Sequence, residues 1–291
     1  MVIYKDDINK RFFSMDYYPI NIRKGNKITV IGGIYVLEDL DEAIEIGMKF
    51  KKACLEKNLS YIFKASFDKA NRSSFNSYRG PGLSKGLKML SEIKNILKSP
   101  IITDIHEIHQ ASKAAEVCDM LQLPAFLARQ TDLIKALAAT GRPINIKKPQ
   151  FISPDQIKYI VQKFSKFGCE DVIVCERGSI YGYNQQIVDI VGLEIIKEQT
   201  NKPICVDITH ALQFRNEGSC SSNGRRSYAF KLAKAVTATS IDAIFIEAHK
   251  NPENAKCDGA SAIPSSLIPE FIHQIYQVDN LVKNQEEFKI E

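Results

Sequence analysis

Between residue 28 and about residue 280, a short β-branched apolar run followed by a helix-length amphipathic stretch recurs eight times. The apolar runs are ITVIGG (28–33), SYIFKA (60–65), PIITDI (100–105), DMLQLP (119–124), PINIKK (143–148), DVIVCE (171–176), PICVDIT (203–209) and DAIFIEA (242–248). Runs this short and this uniformly apolar suit strands covered on both faces. The segments between them, such as LDEAIEIGMKFKKACLEK and SKGLKMLSEIKNILK, carry apolar residues at i, i+3 and i+4 and read as helices. Ser153-Pro154-Asp155 reads as an N-cap followed by proline at the first helical position. Strand and helix alternating eight times over this length predict an α/β fold, a (β/α)₈ TIM barrel. A doubly wound open sheet is the runner-up, but GGIYVLED after the first run is not the Gly-rich turn that such a sheet carries for phosphate.

The expected layout is one barrel domain spanning the chain. Residues 1–27 form an N-terminal extension and a β-hairpin that turns at Lys-Gly-Asn, residues 28–280 the barrel, and 281–291 a solvated tail. A chain of 291 residues, 44% hydrophobic, is long enough for such a core. A net charge of +5 does not by itself point to nucleic acid, but it suits small anions if the cations converge. The seven cysteines show no CxxC spacing, and Cys118, Cys175 and Cys205 sit in apolar runs, so free thiols in a reducing compartment are expected. The start, MVIYKDDINKRFF, lacks the apolar core of a signal peptide, and no run approaches the roughly 18 apolar residues of a membrane span. A soluble, cytoplasmic protein is the expectation.

Barrel enzymes react at the C-terminal ends of their strands. Those ends carry Tyr35, Lys64 to Ser74, Asp104, His106 and Glu107, Gln122, Lys147, Lys148 and Gln150, Glu176 and Arg177, Asp207, His210 and Gln213, Glu247 and His249, whereas the strand starts offer mostly Pro, Ser and Asp. Lys64, Lys69, Arg72, Lys147, Lys148 and Arg177 gathered at one mouth would favour phosphates and carboxylates. Asp104, Glu247, Asp258 and His210 suit either acid–base work or a metal. RGPGL (79–83) and ERG (176–178) supply tight basic turns suited to phosphate oxygens. Plainer readings stand beside these: Lys148 and Lys94 as solvated lysines, Asp104 as a helix cap, Glu176–Arg177 as a local ion pair, His109 and His273 as structural.

With KASFDKANRSS (64–74) and YRGPGL, TDIHE at 103–107, LQLPAFLARQTDL at 121–133, INIKKPQFISP at 144–154, CERG at 175–178, DITHALQ at 207–213, GRR at 224–226 and EAHKNPENAKCDGASAIP at 247–264, the chain resembles the 3-deoxy-D-manno-octulosonate 8-phosphate (KDO8P) synthase family from about residue 28 to about 280. The resemblance implies a transferase that condenses phosphoenolpyruvate with D-arabinose 5-phosphate and water, giving KDO8P and phosphate for lipopolysaccharide synthesis. It also implies a homotetramer with sites near the subunit interfaces, and no nucleic-acid or membrane partner. Carried over residue by residue, Lys64 and Lys69 hold the carboxylate side of phosphoenolpyruvate, while Lys147, Arg177 and the backbone at Ala125 hold its phosphate. Asn71, Arg72 and Ser73 bind arabinose 5-phosphate, with Arg72 and Ser73 completing the phosphate site of a neighbouring subunit. Asp104 and Gln213 contact sugar hydroxyls, and Ser66 and Gln150 belong to the same substrate-binding set. On the chemistry, Lys69 is expected to donate a proton to C3 or to the aldehyde side, with His210, Glu247 and Asp258 orienting water.

The family includes metal-dependent members, whose ligands are a Cys after the first strand and the equivalents of His210, Glu247 and Asp258, and metal-independent members with Asn in place of that Cys. Here Tyr35 takes that position, a hard phenol with an ordinary pKa near 10, so no metal and no other cofactor are expected. Ala260 and Asn223 also depart from the family pattern, where Pro and Gly are usual. The competing readings are the related synthase that uses erythrose 4-phosphate (DAHP synthase), a Schiff-base aldolase with Lys147 as nucleophile, and a weakened or inert sugar-phosphate-binding barrel.

Overall fold

The structure, a computed structural model, describes residues 20–180, 185–214 and 223–286 of the 291-residue chain. Eight parallel strands, β1 (Thr29–Gly33), β2 (Tyr61–Lys64), β3 (Ile101–Asp104), β4 (Met120–Leu123), β5 (Ile144–Lys147), β6 (Val172–Glu176), β7 (Ile204–Asp207) and β8 (Ala243–His249), alternate with eight helices. The helices are α1 (Leu40–Glu56), α2 (Leu83–Leu97), α3 (Ile108–Ala115), α4 (Thr131–Ala138), α5 (Ile157–Lys166), α6 (Ile190–Thr200), α7 (Ala229–Thr237) and α8 (Ile268–Lys283). Each strand pairs with the next, and β1 closes on β8 from Thr29 opposite Ala243 to Gly33 opposite Glu247. That closure makes the (β/α)₈ barrel and excludes the open sheet. Every strand lies within two residues of its predicted run at either end, because a strand buried on both faces ends where its apolar run does.

Two apolar layers hold the barrel. The larger lies between sheet and helices and includes Phe50, Phe63, Leu90, Phe164 and Phe271, each at most 1% exposed. The smaller fills the barrel itself, with Ile31, Ile62, Ile102, Met120, Ile173, Cys175, Cys205 and Phe245, as expected of a barrel that is a packed core and not a pore. Ile20 and Ile22 pack against this inner layer. The expected turn is present there, with Gly25 at φ 78° and the Asn26 N–H donating to the Arg23 carbonyl at 3.2 Å. Residues 20–23 form no ladder with β1, so the described part of the expected hairpin is a turn without a strand pair, and the rest of its first arm lies outside the described residues.

Glycine matters at Gly33, where a Cβ would come within 2.0 Å of the Lys64 carbonyl oxygen. Its absence lets β1 and β2 lie close, with the Ile34 N–H donating to that same carbonyl at 2.9 Å. Lys64 is thereby fixed at the mouth.

Several plain readings are corrected. Ser153 does precede a helical turn, but that turn is a 3₁₀ segment, Pro154–Gln156, ahead of α5, and the serine hydroxyl donates to the Asp155 carboxylate instead of capping. The eighth helix runs on to Lys283, three residues into the expected tail. Lys94 is buried against Asp119 (2.8 Å). Lys148 is also buried, donating to the carbonyls of Pro149 and Ile152 (both 3.1 Å) and to Ser179 Oγ (2.9 Å), with Glu176 Oε2 at 3.4 Å. The described cysteines are free and buried, and Cys220 lies outside the described residues. Among the described residues no helix is long and apolar enough to cross a membrane.

Lys148 is thus a structural cation. Lys148→Met would leave the Glu176 carboxylate buried without its partner, a loss expected to cost about 3–5 kcal/mol. Urea unfolding checks it: a midpoint shift of that size at unchanged slope is expected, and a loss below about 1 kcal/mol would contradict the assignment.

Candidate active site

The strand ends enclose a cavity of about 470 Å³. Of the residues singled out from the sequence, Lys64, Lys69, Asn71, Arg72, Ser73, Asp104, Ala125, Lys147, Gln150, Arg177, His210, Gln213 and Asp258 line it. Ser66 and Glu247 do not. Both are wholly buried behind the lining residues Lys64 and Asp104, to which they or their partners bond.

The floor is a continuous circuit of charged and polar groups. Lys64 Nζ donates to Glu247 Oε1 (3.1 Å) and Ser66 Oγ (3.0 Å), and it stands 3.5 Å from Asp104 Oδ1. The Ser66 hydroxyl also bonds Asp104 Oδ1, while Asp104 Oδ2 meets His106 Nε2 at 3.0 Å. In the other direction, Glu247 Oε2 faces His210 Nε2 at 3.5 Å, and His210 Nδ1 is 2.7 Å from Asp207 Oδ2. Asp207 Oδ2 also accepts from Lys147 Nζ (2.5 Å), whose ammonium lies 3.3 Å from the centre of the Phe245 ring. Asp207 Oδ1 accepts the backbone N–H groups of Thr209 (3.1 Å) and His210 (2.8 Å), which fixes the turn that carries the imidazole.

Each charge is tuned by its neighbours. Burial alone would raise the Asp104 carboxyl, but Lys64, His106 and Lys69 outweigh it and hold it well below the usual range. Asp207 is held equally low against burial by His210 and Lys147, and Asp258 is lowered against burial by His210 and Lys69. Burial would lower Lys69 and Lys147, yet Glu247 and Asp104 around Lys69, and Asp207 beside Lys147, push both up. Burial lowers Arg177, which stays cationic as arginine does.

The loop after β2 is stapled into place. Its Phe67 is buried, the Phe67 carbonyl accepts from Gly82, and the Lys69 N–H donates to Arg79. Arg79 itself pairs with Asp68 (Nε to Oδ1, 2.9 Å) and does not line the cavity, so RGPGL braces the loop and is not a phosphate turn. Arg72 and Ser73 line the mouth of their own chain, where Arg72 Nη1 donates to Cys257 Sγ at 2.7 Å. Asp104 caps no helix, since the Gln110 amide oxygen accepts the N–H groups of His106 and Glu107 before α3. Glu176 and Arg177 form no side-chain ion pair. The carboxylate accepts the backbone N–H groups of Arg177 (2.8 Å) and Gly178 (2.6 Å).

Tyr35 does not crowd the cavity. It is buried beside it with Val36, Cys257 and Ala262, its hydroxyl 2.8 Å from Ser261 Oγ and its ring centroid 5.3 Å from that of His210. Burial, and then the carboxylates of Glu247 and Asp258, push the phenol well above its ordinary pKa. A neutral phenol tied to Ser261, beside a histidine already bonded to Asp207, does not fit a divalent cation. Among the described residues no group of three or more His, Cys, Asp or Glu side chains is placed to hold one. Asn223 pairs with Phe214 in a two-residue ladder, and the Ala260 carbonyl carbon would lie 2.5 Å from a Cβ on Gly224.

His106, Gln186 and Cys257 also line the cavity but were not among the predicted site residues. His106 was legible as a strand-end residue two positions after Asp104. Cys257 carried only the signal of standing next to Asp258, and Gln186 carried none.

A parallel barrel with cations and low-pKa carboxylates converging at its C-terminal mouth defines a barrel enzyme that handles small anions. The model of the DAHP synthetase I family matches residues 7–284, and the chain belongs to that family. A 2-dehydro-3-deoxyphosphooctonate aldolase from Shewanella piezotolerans is 47% identical over 93% of this chain and 96% of its own length. Proteins of the same name from Chromobacterium violaceum (48% identical, 91% of this chain, 95% of its own) and Parasynechococcus marenigrum (47%, 91% and 94%) agree. That name is the other name of KDO8P synthase, the family which the motifs resemble.

The low carboxylates set the acid limit. A depressed native pKa gives stability that is full above the ordinary unfolded value and is lost as pH falls through the native value. Asp104 and Asp207 therefore predict a steep loss of stability below about pH 4. Asp207→Asn is expected to be less stable at neutral pH but shallower in acid, by urea unfolding between about pH 2 and pH 7. An equally steep acid limb in that variant would contradict the assignment.

Proposed function

We propose that the chain condenses phosphoenolpyruvate with D-arabinose 5-phosphate and water to give 3-deoxy-D-manno-octulosonate 8-phosphate and inorganic phosphate, as a cytoplasmic transferase of lipopolysaccharide synthesis. The observation that carries this reading is the division of cations in one cavity: Lys147 and Arg177 at the ends of β5 and β6, and Lys64, Lys69 and Arg72 on β2 and its loop. Phosphoenolpyruvate needs cations at both its phosphate and its carboxylate, and the sugar phosphate needs Arg72 beyond them, with the reacting ends between.

In this reading C3 of phosphoenolpyruvate attacks the aldehyde carbon, water adds at C2, and the C2–O bond to phosphate breaks. Lys147, Arg177 and the Ala125 backbone take the phosphate, while Lys64 and Lys69 take the carboxylate side. Asn71, Arg72 and Ser73 take the sugar phosphate, and Asp104, Gln213 and Gln150 take the polar remainder, with Ser66 acting indirectly through its bonds to Lys64 and Asp104. Positive charge developing at C2 lies near the anions Glu247 and Asp258, a fixed electrostatic environment that needs no rearrangement. Glu247 Oε2 has no hydrogen-bond partner among the described residues and faces His210, a placement suited to orienting the water. Lys69 is held protonated against burial by the carboxylates of Glu247, Asp104 and Asp258, so its best acceptor is a strong base, the alkoxide that forms from the aldehyde oxygen.

Lys147 is held charged by Asp207, which argues against a Schiff-base nucleophile, since that needs a free amine. The tied, neutral Tyr35 supports a metal-free site. A homotetramer whose subunits meet near these mouths belongs to the same reading, and Phe75, 99% exposed two residues beyond Ser73, is placed where such a contact would cover it.

Phosphate release by metal-stripped protein tests the reading. Release is expected with arabinose 5-phosphate and not with erythrose 4-phosphate; the reverse preference would assign the DAHP synthase reaction, and release with neither, even after divalent metal is added, would make the barrel inert. Chelator is expected to leave turnover unchanged, and activity lost to chelator and restored by Zn²⁺ or Mn²⁺ would overturn the metal-free reading. Lys69→Met is expected to lose turnover by about 10²–10⁴-fold, as for a general acid, and near-normal turnover would refute that role.

A further inference from the structure

We infer that Gln186 is a positioning residue of this site, which sets the direction in which Arg177 presents its guanidinium to the phosphate of phosphoenolpyruvate. The inference rests on the substrate reading above. Arg177 is buried, and no carboxylate of the described residues lies within ion-pairing distance of its guanidinium. Both terminal nitrogens are held by neutral amide oxygens instead: Nη1 donates to Gln186 Oε1, and Nη2 donates to Gln213 Oε1 at 3.2 Å. A carboxylate in either place would fix the fork but cancel its charge. An amide fixes the fork and leaves the whole positive charge for an anion.

Three features deliver the Gln186 amide to this point. Gln186–Ile187 pairs antiparallel with Ser179–Ile180, which sets Gln186 opposite Ile180 and folds this segment back over the end of β6. Arg225, from the loop ahead of α7, donates to the Gln186 carbonyl (3.0 Å) and to Gln185 Oε1 (2.6 Å), tying the segment down. Gly178, at φ 93°, leaves room for it, since a Cβ there would come within 2.8 Å of Gln186 Cβ. Gln213 reaches Arg177 from the turn after β7, so the guanidinium is bracketed from two separate loops.

The test is the Gln186→Leu variant, which keeps the bulk and removes the acceptor, made in the parent and in an Arg177→Lys background. In the parent, the KM for phosphoenolpyruvate is expected to rise about tenfold, with kcat, the KM for arabinose 5-phosphate and Tm little changed, as for the loss of one bond orienting a charged group. In the Arg177→Lys background the same change is expected to shift that KM less than about twofold, because an ammonium has no fork to direct. An unchanged KM in the parent, an equal rise in both backgrounds, or a loss confined to kcat and Tm would each overturn the role. A parent that releases no phosphate from phosphoenolpyruvate would overturn the substrate reading itself, whereas a working parent with an unaffected variant removes only Gln186.

Discussion

Lys64 and Glu247 face each other at 3.1 Å with side chains 1% and 0% exposed. A lone charge at that depth would cost several kcal/mol, and the two survive there only as members of a larger circuit. Asp104, Ser66 and His106 extend it on one side, and His210, Asp207 and Lys147 on the other. Lys64, Asp104, Lys147, Asp207 and Glu247 stand on five different strands, and Ser66, His106 and His210 on the turns that follow three of them. The barrel therefore cannot close correctly without assembling the mouth, and the mouth cannot hold its charges without the barrel.

The same circuit explains why the cavity is suited to anions before any arrives. The carboxylates keep Lys69 and Lys147 charged against the pull of burial, while Lys64 and then Lys69 hold Asp104 low, and His210 and Lys147 hold Asp207 low. The floor sets Lys64 and Lys147 against Asp104, Glu247 and Asp207, while Arg177, bracketed by amides, and Arg72, held by a thiol, form no direct ion pair with the described residues at the walls. Tyr35 fits this scheme as a neutral wall beside His210, a position where a thiolate or a hard anion would add negative charge to an already acidic floor.

Much of this was legible in the sequence, for a physical reason. Strands buried on both faces announce themselves as uniform apolar runs, and the barrel confines unusual polar residues to one end of each, so the fold and the rim residues could be read together. What escaped depended on direction rather than identity. Lys94 and Lys148 have the composition of solvated lysines, and only the packing reveals that they point inward. Arg79 carried the look of a phosphate ligand but is engaged by Asp68, eleven positions away. Gln186 reached the site through a fold-back of its own loop, a register that no periodicity signals. α6 begins Ile-Val with both residues exposed, which blurs the amphipathic pattern that marks the other helices.

The central claim is that the cations are charged in advance, so that binding phosphoenolpyruvate requires no protonation of the protein. Calorimetric titration of phosphoenolpyruvate in buffers of different ionisation enthalpy measures this directly. Between about pH 7.5 and pH 9.5, below the raised lysine values, the account predicts no net proton uptake and a constant affinity. Uptake of about one proton, with affinity falling across that range, would show a lysine that is neutral until the substrate charges it, and would contradict the account.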